Sequence, residues 1–308
     1  MRVDVHAHHY PEMYVNCLTR FGKDTSHTAK APGAGVTLDQ RLDLLDRSGI
    51  RVQVLCVGAQ QPYFASASDA TTAAKMANDL YAEVCKKYNG RYEAFAAVPL
   101  PHVDAALDEV RRALDELEMV GVNLGCSVAG RPLDDQAFEP LFAELNRRGT
   151  VVFLHPQGMG CGPLIDDYGL NFTLGAPFED TISALRLVLA GVISRYPKMR
   201  VVVPHLGGPL SFLRMRLDGS LRGRTDFKPS EELKRLWYDT VNENIPSLHC
   251  AREAFGADRL LFGTDFPHVF GDRFERCTSY IQQSNLPAEE KSAILDHNAQ
   301  SLLGLADR

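Results

Sequence analysis

His6 and His8 stand two residues apart at the end of a short apolar run, Met1-Arg2-Val3-Asp4-Val5-His6-Ala7-His8-His9. Residues i and i+2 of a β-strand point to the same face, so the two imidazoles aim at one point, as two ligands of a metal ion must. His155 closes Val151-Val152-Phe153-Leu154, and Asp265 closes Leu260-Leu261-Phe262-Gly263-Thr264. A carboxylate at the end of so apolar a run is costly to bury without a partner. Taken singly, each histidine has an ordinary explanation as a hydrogen-bonded core residue, and Asp265 as a helix N-cap. Taken together, His6, His8, His155 and Asp265 are a nitrogen and oxygen set that a divalent cation takes, with a position left for water or substrate.

His205 ends Val201-Val202-Val203-Pro204 and precedes Leu206-Gly207-Gly208. It is either a fifth ligand or a free general acid/base, and the glycines give the backbone a sharp turn with room for substrate. Asn123 closes another apolar run. A lysine there could be carboxylated to bridge two ions; its absence points to one metal. His268, three residues past Asp265, is within reach of a substrate or serves the structure. His9, Tyr10, Trp237 and His249 are further candidates for the pocket wall, and His27 for its mouth.

These residues need elements that bring them together. Strand-type runs span 2–6, 51–57, 93–98, 120–124, 151–155, 200–205, 236–241 and 259–265. Many are almost wholly apolar, as strands of a parallel sheet buried on both faces are. Amphipathic stretches lie between them. Thr37-Leu38-Asp39-Gln40 reads as a capping box opening a helix that stops near Gly49. Helices are also expected over 69–88, 105–117, 135–148, 181–196 and 288–303. Eight strands alternating with helices point to an α/β fold, a (β/α)8 TIM barrel forming one domain over residues 1–308. A doubly wound open sheet is the competitor. In a barrel, His6/His8, His155, His205 and Asp265 share one ring at the C-terminal strand ends; in an open sheet the first and last strands need not meet. Two longer loops, 24–35 and 157–178, are lid candidates.

Composition narrows the function class. A net charge of −6 without a basic run argues against nucleic acid. Seven cysteines, scattered and without a C-x-x-C pair, fit neither a zinc ribbon nor a disulfide framework and suit a reducing cytosol. With neither a basic-then-apolar leader nor an apolar stretch long enough to span a membrane, the chain is expected to be cytoplasmic.

With these motifs in place, the chain resembles the amidohydrolase superfamily, in the branch typified by aminocarboxymuconate-semialdehyde decarboxylase. The resemblance covers nearly the whole chain. It rests on His6-Ala7-His8, Val151–Pro156, Val203-Pro204-His205-Leu206-Gly207-Gly208 and Phe262-Gly263-Thr264-Asp265-Phe266-Pro267, with support from Arg41–Val54. The resemblance implies a single zinc per subunit, or manganese as in some relatives, held by His6, His8, His155 and Asp265. His205 is implied as the catalytic histidine, with Asp265 sharing the proton handling. Arg216, in the helix after His205, is implied to reach a substrate carboxylate in a neighbouring subunit, which requires a homodimer or higher homo-oligomer. The chain departs from the branch in the loop after the first strand, where only Lys23 and Lys30 offer positive charge. It departs again after His155, where Gln157-Gly158-Met159 replaces an aromatic and makes Gln157 a candidate substrate contact.

The implied activity is non-oxidative decarboxylation of a small aromatic or muconate-type acid, such as an ortho-hydroxybenzoate or aminocarboxymuconate semialdehyde. The same site would also serve hydrolysis of an amide, lactone or ring, with His205 or Asp265 as base for an attacking water. Hydration of an unsaturated polycarboxylic acid is a third use. A non-catalytic metal-binding barrel is a different class, and the intact ligand set together with His205 weighs against it.

Overall fold

The computed structural model describes residues 1–158 and 164–305. Ten strands are present among the described residues: β1 (Val3–His8), β2 (Val52–Cys56), β3 (Tyr92–Ala97), β4 (Gly121–Gly125), β5 (Ser127–Val128), β6 (Arg131–Pro132), β7 (Val151–His155), β8 (Arg200–Val203), β9 (Trp237–Asp239) and β10 (Leu260–Leu261). Eight form one parallel sheet in the order β1-β2-β3-β4-β7-β8-β9-β10, while β5 and β6 make a small antiparallel hairpin that follows β4 in sequence. Backbone bonds close the ring. Val5 N donates to Phe262 O at 3.0 Å, Asp265 N to His6 O at 2.7 Å, and Ala7 bridges Phe266 in parallel. The sheet is therefore the TIM barrel that the eight apolar runs imply.

The sheet's apolar residues divide into two cores. Val3, Val5, Val52, Val54, Phe95, Val151, Phe153, Val202 and Leu261 fill the barrel interior with Ala299, Leu302, Leu303 and Leu305 from the last helix. A larger cluster fills the space between strands and helices, with Ala7, Leu55, Ala94, Ala96, Leu124 and Leu154 from the strands. Burial on both faces is what makes these strands read as continuous apolar runs.

Parity changes within β1. Asp4 pairs with Gln53, but Ala7 pairs with Leu55, so β1 carries one residue more than β2 over this stretch. Such a bulge re-aims side chains, commonly beside a functional site. Val3 and Val5 point into the barrel below the bulge, Ala7 points to the helices above it, and His6 and His8 point inward.

The expected helices form with shifted ends. Leu38–Arg47 opens on Thr37, whose hydroxyl accepts from Gln40 N while the Gln40 side chain accepts from Thr37 N. Ala67–Lys87, Val103–Asp115 and Glu139–Arg148 follow. The helix expected over 181–196 begins at Ala176, where Pro177 suits a first turn. It stops at Leu189, and Gly191 takes a left-handed φ of +71° before a short helix Val192–Arg195. The C-terminal segment is helical from Ala288 to Leu303 with a π-turn at Ala293–His297. No helix among the described residues is long and apolar enough to cross a membrane.

Candidate active site

β1, β7 and the turn after β10 deliver four ligand atoms to one spot at the C-terminal end of the barrel. One nitrogen or oxygen from each of His6, His8, His155 and Asp265 lies within 4.8 Å of every other. Two ligands bound at about 2.1 Å to one cation stand at most about 4.2 Å apart. The cluster is thus within small side-chain adjustments of a mononuclear site.

The tautomers are fixed from behind. His6 Nδ1 donates to Asp239 Oδ2 at 2.7 Å, His155 Nδ1 to Pro156 O at 2.8 Å and His8 Nδ1 to Cys56 O at 3.3 Å. Each Nε2 is left to face the centre. His6 Nε2 is buried with no hydrogen-bond partner, an orphan that a bound cation would satisfy. Asp265 Oδ1 lies 3.3 Å from His6 Nε2 and 3.0 Å from His8 Nε2. The donor set and its geometry fit a divalent ion.

Asp239 is a site residue that the sequence reading passed over, because it lies inside the run expected over 236–241; in the structure it closes β9 as Asp265 closes its own run. It is fully buried. Besides holding His6, its Oδ1 accepts from His205 N at 2.9 Å and Val241 N at 3.1 Å. Asp180 was also missed. It sits in the helix Ala176–Leu189, whose sequence gives no local sign of a site, and its Oδ2 accepts from His205 Nδ1 at 2.7 Å. His205 Nε2 then stands 4.0 Å from Asp265 Oδ2, outside the four-ligand group and beside it.

Charge follows from these contacts. Burial pushes the His8 imidazolium down to about 4 and His155 well below its ordinary value. Burial would raise Asp265, but His6, His205 and His8 hold it well below the usual carboxylate range. Burial would likewise lower His6, but Asp239 and then Asp265 outweigh it and raise it to about 9. His205 is held well above its ordinary value, Asp180 and Asp265 overcoming its burial. Without a cation, these shifts favour neutral His8 and His155, an ionised Asp265, and protonated His6 and His205 at neutral pH; a bound cation would take the place of the proton on His6 Nε2.

Three of the positive-φ non-glycine residues sit at the site. His205, Leu206 and Asp265 have φ of +54°, +55° and +60°. Such conformations cost about 1–3 kcal/mol each and persist only when their surroundings enforce them. Asp4 enforces one of them, accepting from Thr264 N at 3.0 Å and Thr264 Oγ1 at 2.6 Å. Two glycines are required by space. A Cβ at Gly58 would lie 2.6 Å from the His8 ring, and one at Gly208 would lie 2.1 Å from Pro177 O.

A cleft of about 560 Å³ opens over the centre, walled by His155, His205, Asp265, His268, His27 and Phe172 among others. His27 and Phe172 come from the two lid-candidate loops. Met159, Gly160, Cys161, Gly162 and Pro163 of the second loop lie outside the described residues. His268 Nε2 bonds Tyr10 Oη at 3.2 Å and its ring faces His8 and His27. Gln157 is not part of this wall; its amide spans the carbonyls of Gly58, His155 and Pro156 at 3.3–3.4 Å. Arg216 is on the helix Leu210–Ser220 and is not among the described residues lining the cleft. Trp237 opens β9 at the opposite end of the barrel, against Arg259. Asn123 is buried, donating to Phe153 O and accepting from Gln61.

The chain is 26% identical to 2-amino-3-carboxymuconate-6-semialdehyde decarboxylase of Dictyostelium discoideum, over 99% of this chain and 92% of that protein. It is 30% identical to 6-methylsalicylic acid decarboxylase of Penicillium expansum, over 95% and 93%. Among solved structures it is similar to dihydroxybenzoic acid decarboxylase from Polaromonas sp. JS666 with bound manganese and the inhibitor 2-nitroresorcinol. That likeness has a TM-score of 0.87 at 24% identity, over 99% of this chain and 97% of that one. The amidohydrolase family profile matches residues 3–305, and the chain belongs to the amidohydrolase family.

Proposed function

We propose that this protein is a metal-dependent, non-oxidative decarboxylase of a small aromatic acid of the ortho-hydroxybenzoate type. The observation that carries the reading is the convergence of His6, His8, His155 and Asp265 on one point of a cleft that His205 also lines. The decarboxylase relatives support it across almost the whole chain.

A divalent cation held by those four residues, zinc or manganese, would fix the substrate carboxylate and an adjacent oxygen and stabilise charge on them. The remaining work falls to this chain's side chains. His205, protonated and braced by Asp180, is the group to deliver a proton to the carbon bearing the carboxylate. As that C–H bond forms, the bond to the carboxylate breaks and carbon dioxide leaves, so no external electron sink is needed. His205 is left neutral and takes its next proton from solvent, with Asp265, 4.0 Å from its Nε2, placed to relay it. His268, His27 and Phe172 bound the ring.

The cleft wall favours a substrate with one carboxylate. Among the described residues lining it there is no arginine or lysine. A second carboxylate, as in aminocarboxymuconate semialdehyde, would find no arginine or lysine among those described residues. Arg216 could supply one across a subunit boundary. The proposal includes a homodimer or higher homo-oligomer, supported by Phe212 and Met215, which flank Arg216 on the same helix and are 81% and 70% exposed. A cytosolic location is likewise included, supported by six described cysteines that are all free.

The test is carbon dioxide release from metal-loaded protein offered ortho-hydroxybenzoates and, separately, aminocarboxymuconate semialdehyde, each against a chelated control. Metal-dependent release from the hydroxybenzoates is expected. Unchanged acids throughout, with turnover of lactones or amides instead, would replace this reading with the hydrolase one.

A further inference from the structure

A second cavity lies on the far side of His8 from the substrate cleft, beneath the loop that follows β1. Its wall includes His8, Tyr10, Thr28, Gly33, Arg41 and Pro267, and the exposed Ala29 and Ala34 stand at its mouth. Nothing in the proposed reaction uses it.

Arg41 is its unusual feature. The side chain is 97% withdrawn from solvent, at 3% exposure, with its guanidinium 4.0 Å over the Phe266 ring. Nη1 donates to His8 O at 3.0 Å and to Gln53 Oε1 at 3.1 Å. Nε is buried with no hydrogen-bond partner. Both acceptors are neutral. Asp4, the carboxylate joined to this network, is one amide away, accepting from Gln53 Nε2 at 2.7 Å, and is otherwise taken up by Thr264 and His6 N. A guanidinium buried against neutral acceptors retains unbalanced charge and spare donors, an arrangement proteins otherwise avoid. Here it borders a cavity that reaches solvent.

We propose that this cavity binds a small planar oxyanion of the carboxylate or bicarbonate type, with Arg41 as its principal ligand. With Nη1 taken by His8 O and Gln53 Oε1, the Nε and Nη2 edge of the guanidinium is what remains to match two oxygens of such an anion. A single buried cation suits a monoanion. The two cavities share a partition: Tyr10 lines the anion cavity, His268 lines the substrate cleft, and the two are hydrogen-bonded. Arg41 also holds the carbonyl of the metal-ligand candidate His8. Occupancy is therefore transmitted to the ring of ligands through one backbone carbonyl and one side-chain pair. The inference stands whichever reaction the metal site performs.

Nitrate is the probe of choice, being planar, monoanionic and a weak metal ligand; labelled bicarbonate is the second. Each is titrated calorimetrically into metal-loaded wild type, Arg41→Met and the double variant Ala29→Phe/Ala34→Phe, with circular dichroism and metal content as controls. One anion per protomer is expected for wild type, with affinity at least tenfold weaker in both variants. The double variant keeps Arg41 and fills the mouth, so it decides alone if Arg41→Met does not fold. Absence of binding to wild type overturns the proposal. So does unchanged binding in the double variant, which would put the anion at the metal or on the surface. Bicarbonate binding without nitrate binding also overturns it, since the site is argued from charge and planarity alone.

Discussion

Replacing Asp239 with asparagine removes the charge that orients His6 and leaves the size of the side chain unchanged. In the native protein, Oδ2 accepts from His6 Nδ1 at 2.7 Å in full burial, which leaves Nε2 unprotonated when a cation is present. In Asp239→Asn, the new side chain would keep one oxygen for the amides of His205 and Val241, now at 2.9 and 3.1 Å. Its NH2 would then face His6, which would have to accept on Nδ1 and carry its proton on Nε2, the wrong tautomer for a ligand. A hydrogen bond to a charged group contributes about 1.5–3 kcal/mol, which corresponds to roughly 10–150-fold in affinity. Loss of a carboxylate behind a ligand histidine costs about 10–100-fold, so the two estimates agree.

The substitution also changes the pH dependence of metal binding. His6 is raised to about 9 by Asp239 and Asp265 against the effect of burial, while His8 is lowered to about 4. Below pH 9, therefore, an incoming cation displaces about one proton, from His6. Metal affinity should rise by up to tenfold per pH unit towards pH 9 and then level off. Without Asp239 the His6 pKa falls, so the slope should flatten across the neutral range while affinity drops. Competition against a chelator at pH 6, 7, 8 and 9 reads both effects. Wild-type affinity and slope in Asp239→Asn would refute the assignment of Asp239 as the residue that orients His6.

Asp180→Asn should lower kcat by about 10–100-fold at pH 8 with little change in metal content. Burial would then lower the His205 pKa, and the alkaline limb of the kcat profile would move to lower pH; an unmoved limb would contradict His205 as the proton donor. Gly58→Ala places a Cβ 2.6 Å from the His8 ring at a φ of +54° and should weaken metal binding at least tenfold in chelator competition. His268→Phe keeps a ring in the cleft wall but removes the hydrogen bond to Tyr10 that orients the imidazole, and with it any polar contact the imidazole makes to a bound acid, worth about 1 kcal/mol. It should raise KM several-fold while metal content stays at the wild-type level; an unchanged KM would assign His268 to structure alone.

The barrel was legible because burial on both faces makes β7 apolar up to its closing His155, and leaves β1 and β2 apolar but for Asp4, the two ligand histidines and Gln53. The pairing of His6 with His8 was legible because period-2 geometry is local. The bulge between Asp4 and Ala7 was not, since it is a property of register with β2 and leaves no mark on β1 alone. The run expected over 259–265 is regular strand only at Leu260–Leu261. Beyond it the chain bends to bring Asp265 to a positive φ while still bonding to β1. Asp239 carried a weaker form of the Asp265 signal, a lone carboxylate inside the apolar run 236–241, and it closes the strand only because β9 stops there. Asp180 carried no such signal, because a carboxylate on an amphipathic helix is ordinary until the helix is seen to lie against His205. The walls supplied by His27 and Phe172 depend on how two long loops fold back, which local pattern does not specify.

Stepwise addition of a divalent cation to chelator-stripped protein, with labelled carbon dioxide from a carboxyl-labelled ortho-hydroxybenzoate as the readout, tests the central claim most directly. Release should be absent without metal, rise linearly to one equivalent per chain and then stay constant. Release that is independent of metal, that keeps rising to two equivalents, or that never occurs while the protein binds one ion would contradict a mononuclear decarboxylase built on His6, His8, His155 and Asp265.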